Sequence, residues 1–409
     1  MPANHRVEAG LPLGALLLVL VIVFINFAGF SLIIPLLPFY GKELGASAVQ
    51  VTMLFAAYSF GGVFGEIYWG RASDRQGRRR ILIATTACAA LSYVAFAFAT
   101  DYWLALTIRI FSGFFTGTMG VCSSYIADVT KPEQRARSMG LLGAALNLGF
   151  IIGPALGGLL ADPSAGLPGF RLPILVSAGI AGLAALWSLF ILPETNRDGR
   201  SRPAPHWGEA FQYVGANALL LRLFAIAFIG IGTFASMEAV FGLWTAKNFG
   251  WSAHELGLTF IAVGAAGFTA QLVLIGPATK RFGEARVIAG GLVLLAASMA
   301  LQPIFRAPIA SVILMSTLMA GHSIAFPSAG ALISRTTPGA SQGSVNGLLM
   351  ASNALSRIMV PPTLGLVYET AGADIPYYVC ALLVGLAFLC AMQVIKIRDA
   401  QLNTQEATL

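Results

Sequence analysis

Five titratable side chains fall inside long apolar stretches: Glu66, Arg109, Glu238, His322 and Arg357. A charge within a bilayer span costs at least ~2.5–3.5 kcal/mol on insertion scales, so such residues are kept for what they do. Glu238 lies in SMEAVFGLW with no basic neighbour in sequence. A carboxyl group so placed can load and release a proton, and Glu238 is the favoured proton carrier. Two other readings stand beside that one: a direct ligand for a cationic substrate, and a structural partner for Arg357. Arg109 needs a carboxylate or polar partner. Glu66 is one turn before Gly70, where it can bridge to the arginines that follow or serve as a proton exit. His322 is either a hydrogen-bonded core residue or a handler of protons or substrate.

The elements that hold these residues are membrane spans. The 409-residue chain is 57% hydrophobic and 11% charged, with mean hydropathy +0.77. A soluble domain carries about 25% charged residues, so this chain is integral to a membrane. Its net charge of +7 is no sign of nucleic-acid binding, because the basic residues lie at span ends. Cys88, Cys122, Cys380 and Cys390 lie in apolar stretches without metal spacing and read as small core residues. The N-terminal MPANHRVEAG leads into an apolar run without a small-residue cleavage site, which reads as a retained first span.

Twelve stretches approach the ~20 apolar residues that a spanning helix needs. They are 12–36, 48–69, 81–100, 103–126, 138–161, 171–192, 219–246, 255–278, 287–304, 308–333, 342–367 and 375–396. With the N-terminus inside, nineteen Lys and Arg fall in cytoplasmic segments. Four fall on the other side: Lys42, Arg171, Lys247 and Arg306. That bias predicts both termini in the cytoplasm and an even number of spans. Residues 193–218, rich in Pro, Gly and charge, read as a linker between halves 1–192 and 219–396, with a tail at 397–409. His206, Trp207 and Phe211 suggest a short amphipathic helix on the inner membrane surface, with a loose tether as the alternative.

The halves are related. Gly70 to Arg80 reads GRASDRQGRRR and Gly276 to Arg286 reads GPATKRFGEAR, each between two apolar stretches. At an offset of about 206, Gly70, Ala72, Arg75, Gly77 and Arg80 meet Gly276, Ala278, Arg281, Gly283 and Arg286. Lys280 stands where the first half has Asp74, and Arg335 about where it has Asp128. Acids in one half and bases in the other suggest a cytoplasmic latch. Asp74 and Asp128 would meet Arg335 and the N-terminus of span eleven, with Arg78 and Arg79 around them. Plain anchoring by positive charge is the alternative. In span five, Gly143, Gly149, Gly153, Gly157 and Gly158 let another helix approach closely, and Pro154 permits a bend. This face reads as a rocking contact between spans five and eight, or as static packing.

These motifs together resemble the major facilitator superfamily, and within it the twelve-span drug:proton antiporters that include tetracycline efflux pumps. GRASDRQGRRR is similar to the family's loop-two motif, with Ala72 for the usual Leu. Arg109 to Gly113 (RIFSG) is similar to its span-four motif, and Gly149 to Leu160 (GFIIGPALGGLL) to its span-five motif. YIADVTKPEQRARSMG (125–140) and PLLP (35–38) resemble tetracycline pumps. The resemblance implies an all-α membrane protein of twelve helices in two pseudo-symmetric six-helix halves, working as a monomer by alternating access. It links Arg109 to proton coupling, and it implies that the latch closes when the site faces outward. The chain departs from tetracycline pumps where they carry an aspartate in span one and another in span three. It has Asn26 and Ser92 there, which do not titrate, and this weakens the case for tetracycline–metal chelates.

A substrate site is expected at mid-membrane. Its candidate lining is Asn26, Phe30 and Ser31, then Asn147, then Phe234, Glu238, Phe241 and Trp244, then Gln271, Phe326, Asn353 and Arg357, with His322 among them. Aromatics with a few amides and one carboxylate suit flat amphipathic molecules, cations included. Each aromatic is alternatively core or lipid-facing packing. No nucleotide-binding loop and no nucleophile–base arrangement is present, so neither ATP hydrolysis nor enzyme chemistry is expected, and no cofactor or metal. The favoured reading is an inner-membrane exporter of drug-like molecules driven by protons. Rivals are a lipid or amphiphile flippase, a nutrient or metabolite transporter, and a membrane sensor that does not transport.

Overall fold

The computed structural model of the chain describes residues 13–130, 134–195, 207–339 and 341–406. Arg6, Lys131, Arg197, Arg200, Arg202 and His206 lie outside the described residues. Those described form helices joined by short turns. The first half holds α1 (Leu13–Leu32), α2 (Leu37–Glu43), α3 (Ala48–Gln76), α4 (Arg78–Ala97), α5 (Tyr102–Thr116), α6 (Met119–Val129), α7 (Arg135–Leu160) and α8 (Arg171–Ile191). After α9 (Trp207–Ala216) come α10 (Ala218–Phe249), α11 (Ala253–Thr269), a π-helical segment Ala270–Leu274, and α12 (Ile275–Phe282). The chain ends with α13 (Glu284–Leu301), α14 (Pro308–Thr336), α15 (Gln342–Ala371) and α16 (Ile375–Glu406).

Ten spans among the described residues are long and apolar enough to cross a membrane. The pair α1 and α2, bent by 44°, makes an eleventh if it is taken as one broken span. Pro35 and Pro38 lie at this bend, and neither has an N–H to continue α1. The remaining expected span, 342–367, eleventh in chain order, forms the 30-residue α15. It is long enough, at ~45 Å. It is also more polar than the others, because it carries Gln342, Asn346, Asn353 and Arg357.

The chain divides into two compact units, 1–34 with 60–203 and 35–59 with 204–409. In the first, α1 packs on α7 and α8, and α4 on α8 and α5. The span-five glycines explain the first of these contacts. A Cβ at Gly149 would lie 2.9 Å from the Ala28 nitrogen, one at Gly153 2.5 Å from the Ala28 carbonyl, and one at Gly157 3.0 Å from the Leu32 carbonyl carbon. So Gly149, Gly153 and Gly157 bring α7 against α1, within one unit, where the sequence suggested span eight. Gly158 and Pro154 are buried on the same helix, whereas Gly143 has open space around its Cβ position. The second unit is built on α10 against α15 and α16, α13 against α14 and α16, and α11 against α14. The linker helix α9 joins it, burying Ala210 and Val214 one turn apart and leaving Phe211 exposed.

Candidate functional site

The second unit gathers most of the predicted site. Glu238 and Phe234 lie one turn apart on α10 and are 5% and 4% exposed. His322 and Phe326 come from α14, and Asn353 and Arg357 from α15. The imidazole of His322 stacks on Phe234 at 4.0 Å and 27°, and its ring lies 4.5 Å from that of Phe326. Gly230, one turn before Phe234, makes room for the Phe326 ring, which any Cβ there would strike. Gly232 does the same for α15, since its Cβ would lie 3.0 Å from Val360 Cβ. The Ser356 hydroxyl then donates to the Phe228 carbonyl and fixes α15, with Arg357 beside it, on α10.

Among the described residues, Glu238 Oε1, His322 Nε2 and Asn353 Oδ1 are buried and make no hydrogen bond. Leaving a buried polar atom unpaired costs about 1–3 kcal/mol. Three such atoms, on α10 and the two helices packed on it, α14 and α15, are more than the fold alone justifies. The Arg357 guanidinium acts electrostatically on both Glu238 and His322. It forms no ion pair with Glu238 among the described residues. The acid is therefore neutralised by no fixed salt bridge. Its oxygen is available to a proton or to a ligand donor, and the stacked rings offer an aromatic wall beside it.

Two residues predicted to line the site are packed elsewhere. Phe241 is fully buried, edge-on to Trp251. Trp244 is fully buried against Tyr377, and its indole N–H donates to Asp374 Oδ1 at 2.7 Å. Both rings are spent on the core of the second unit. Gln271 sits in the π-helical segment. One turn before it, Gly267 lets α11 close on α14, with its Cβ position 2.9 Å from the Ser323 hydroxyl.

In the first unit, Arg109 on α5 is 2% exposed, with its guanidinium 5.9 Å from the Phe96 ring centroid. Asn26 reaches Thr86 at 3.5 Å, and Phe30 lies against Phe27. Ser31 is fully buried and donates to the Gly149 carbonyl at 2.8 Å, so it seats α1 on α7 instead of facing a ligand. Asn147 lies on α7, its side chain outside those described. The Ser112 hydroxyl donates to Ser92, which in turn donates to Ala89.

Glu66 does not bridge to the arginine loop. Its two oxygens accept from the N–H groups of Met119 at 3.2 Å and Gly120 at 3.3 Å. These open α6, because span four breaks at Gly117 and Thr118. The carboxylate satisfies two of the N–H groups that every helix start leaves open.

The loop itself is organised by Arg78. Its Nε lies 2.6 Å from Asp128, its Nη2 3.8 Å from Asp74, and its backbone N–H donates to Glu194 at 2.8 Å. Gly77 has φ +99 and opens α4, and any Cβ there would strike the Glu194 carboxylate. Arg79 donates to the Leu189 carbonyl. Gly70 and Arg75 lie on the last turns of α3. The duplication recurs in the backbone, since Gly283 has φ +78 and opens α13. Arg335 pairs with Glu284 at 2.6 Å. The acids Asp74 and Asp128 and the base Arg335 thus have ion-pair partners within their own units. Glu194 is a functional neighbour that sequence reasoning missed, because nothing in PETNR tells that its acid folds back on a helix start 116 residues earlier.

With this geometry in hand, similarity to known proteins is informative. The sequence profile of the Major Facilitator Superfamily matches residues 19–244 and 223–408. The chain is 31% identical over 373 residues to the class C tetracycline resistance protein of Escherichia coli, covering 88% of this chain and 91% of that one. It is 26% identical to multidrug resistance protein 1 of Bacillus subtilis (strain 168), covering 90% and 93%. The crystal structure of a bacterial homologue of the human lysosomal transporter Spinster, inward-facing and occupied, superposes with a TM-score of 0.78 at 15% identity. That match covers 93% of this chain and 96% of that one. Two matched halves, the helix order and the arginine loop with its repeat agree, and the chain belongs to the Major Facilitator Superfamily, whose members are membrane transporters and not enzymes.

Proposed function

We propose that this chain exports amphipathic, drug-like small molecules across the inner membrane in exchange for protons, by alternating access. The observation that carries this reading is the buried Glu238 carboxyl. It has an oxygen without a hydrogen bond, stands beside the stacked Phe234 and His322 rings, and shares Arg357 with His322. Its relatives bear the names tetracycline resistance protein and multidrug resistance protein. A proton from outside neutralises Glu238 and lets the empty carrier return. A substrate arriving from inside displaces the proton, because both compete for one carboxyl group. The aromatic rings bind the flat apolar part of the substrate, and Asn353 and His322 offer polar contacts. Arg109 holds the second buried charge, in the other half. Asp74 and Asp128 latch to Arg335 and the start of α15 when the site faces outward, exchanging the partners they hold here. Both termini lie in the cytoplasm in this reading, which the Lys and Arg bias supports.

Proton release from purified protein on substrate addition tests this, screened over lipophilic cations, tetracyclines and neutral drugs with Glu238→Gln alongside. Release in the wild type that vanishes in the variant is the expected result. Release that persists in the variant removes Glu238 as carrier and moves attention to Glu66 and His322. Silence towards every compound, with lipid moved across vesicle leaflets, would replace drug export by lipid flipping.

A further inference from the structure

Residues 35–59 raise a question that the site does not answer. By chain connection they sit between α1 and the rest of α3, both in the first unit, yet they pack with the second. Three contacts hold them there. Pro38 of α2 lies against α10 at Gly242, where a Cβ would come within 2.7 Å of the proline ring. At Gly365, α15 presses on the first turn of α3, leaving 3.0 Å between a Cβ and the Val49 Cα. One turn later, Glu369 Oε1 accepts the Val49 N–H at 2.7 Å.

The start of α3 does not need Glu369 to be capped. Ser47 and Gln50 form a reciprocal cap, with Ser47 N–H donating to Gln50 Oε1 at 2.8 Å and Gln50 N–H donating to Ser47 Oγ at 3.3 Å. Glu369 adds a carboxylate from a helix 320 residues away. Its place follows from Gly365, because the two share one face of α15. Pro361 and Pro362 lie between this end of α15 and the stretch around Ser356 that is bonded to α10. Each proline removes a helical hydrogen bond, so the end bearing Gly365 and Glu369 has a built-in place to bend.

We infer that Gly365 and Glu369 are positioning residues that seal the end of the transporter remote from the arginine loop, by clamping α15 onto the first turn of α3. Transport requires this clamp to open and close. The clamp rests on the alternating-access reading above, and it adds two residues outside the substrate site. It also gives α3 an opposed pair of acids. Asp74 serves the arginine end, and Glu369, from another helix, serves the far end.

The test uses the full chain with its four cysteines replaced. Gly365→Ala is placed in it, and export of a fluorescent lipophilic cation from membrane vesicles is followed. Export several-fold below that of the cysteine-free parent is expected, because a Cβ at this position meets Thr52 and the Val49 backbone and holds the clamp open. Export at the parent rate overturns the clamp. A second readout does not depend on transport: labelling of a cysteine at Asn353 by an impermeant maleimide added from outside. It should run several-fold faster with Glu369→Gln than with Glu369 intact, and an unchanged rate overturns the clamp. If the wild type exports nothing, the transport reading fails on its own while the labelling comparison still decides the clamp.

Discussion

At the scale of single residues, some charges near or within spans are held by backbone groups and not by opposite charges. Glu66 is the clearest case. Its carboxylate accepts the two N–H groups that start α6. Each unpaired N–H costs about 1–3 kcal/mol where no water replaces the bond. Glu66→Ala, which leaves both N–H groups open, should therefore lower thermal stability in detergent, and Glu66→Gln, which keeps one acceptor oxygen and turns an NH2 donor to the other N–H, should lower it less than Glu66→Ala. Transport separates this capping role from proton exit. Glu66→Gln that stays folded but no longer couples to protons would make Glu66 part of the proton path. The presence of each acid was legible in the sequence, and so was the need for partners. The partners were not, because the N–H donors of Met119 and Gly120 lie 53 and 54 residues away and backbone donors carry no residue signature.

At the scale of helices, glycine placement decides which elements touch. Along α7 the glycines are not equivalent. A Cβ at Gly153 meets the Ala28 carbonyl at 2.5 Å, and one at Gly143 meets nothing within 4 Å. Gly153→Ala should cost about 1–3 kcal/mol by forcing α1 and α7 apart. Gly143→Ala should be neutral or gain up to ~1 kcal/mol, since alanine is the better helix former. Thermal unfolding of the two variants side by side checks this, and equal effects would remove the α1–α7 assignment. Sequence pattern carried the helices far because a span is a run of apolar residues. It passed over the breaks. The bend after α1, the interruption at Gly117 and Thr118, and the π-helical turn at Gln271 all lie inside runs that stay apolar. Hydropathy alone does not register a change in backbone hydrogen bonding there. The close-packed face of span five was legible, while its partner was not, because glycine spacing says that something approaches and not what.

At the scale of the whole molecule, parity and charge bear together on a helix that composition leaves open. Ten spans and the bent pair, taken as one, make eleven candidate crossings among the described residues, and an odd number would put the two termini on opposite sides. The nineteen Lys and Arg against four predict them on the same side. We propose that α15 is the twelfth crossing, which reconciles the two. Its polar residues are then no obstacle, because the Asn353 amide oxygen is buried, Arg357 acts on Glu238 and Ser356 is bonded to the α10 backbone. A span that faces protein on its polar side can afford side chains that lipid would reject. The two ends of α15 should therefore label from opposite sides. In a cysteine-free background, a cysteine at Gly339 should react with an impermeant maleimide only from the cytoplasmic face, and one at Gly372 only from the outside. Reaction of both from one face would make α15 a re-entrant or surface helix. It would then detach Asn353 and Arg357 from the site, and leave the charge bias to be explained by a different count of crossings.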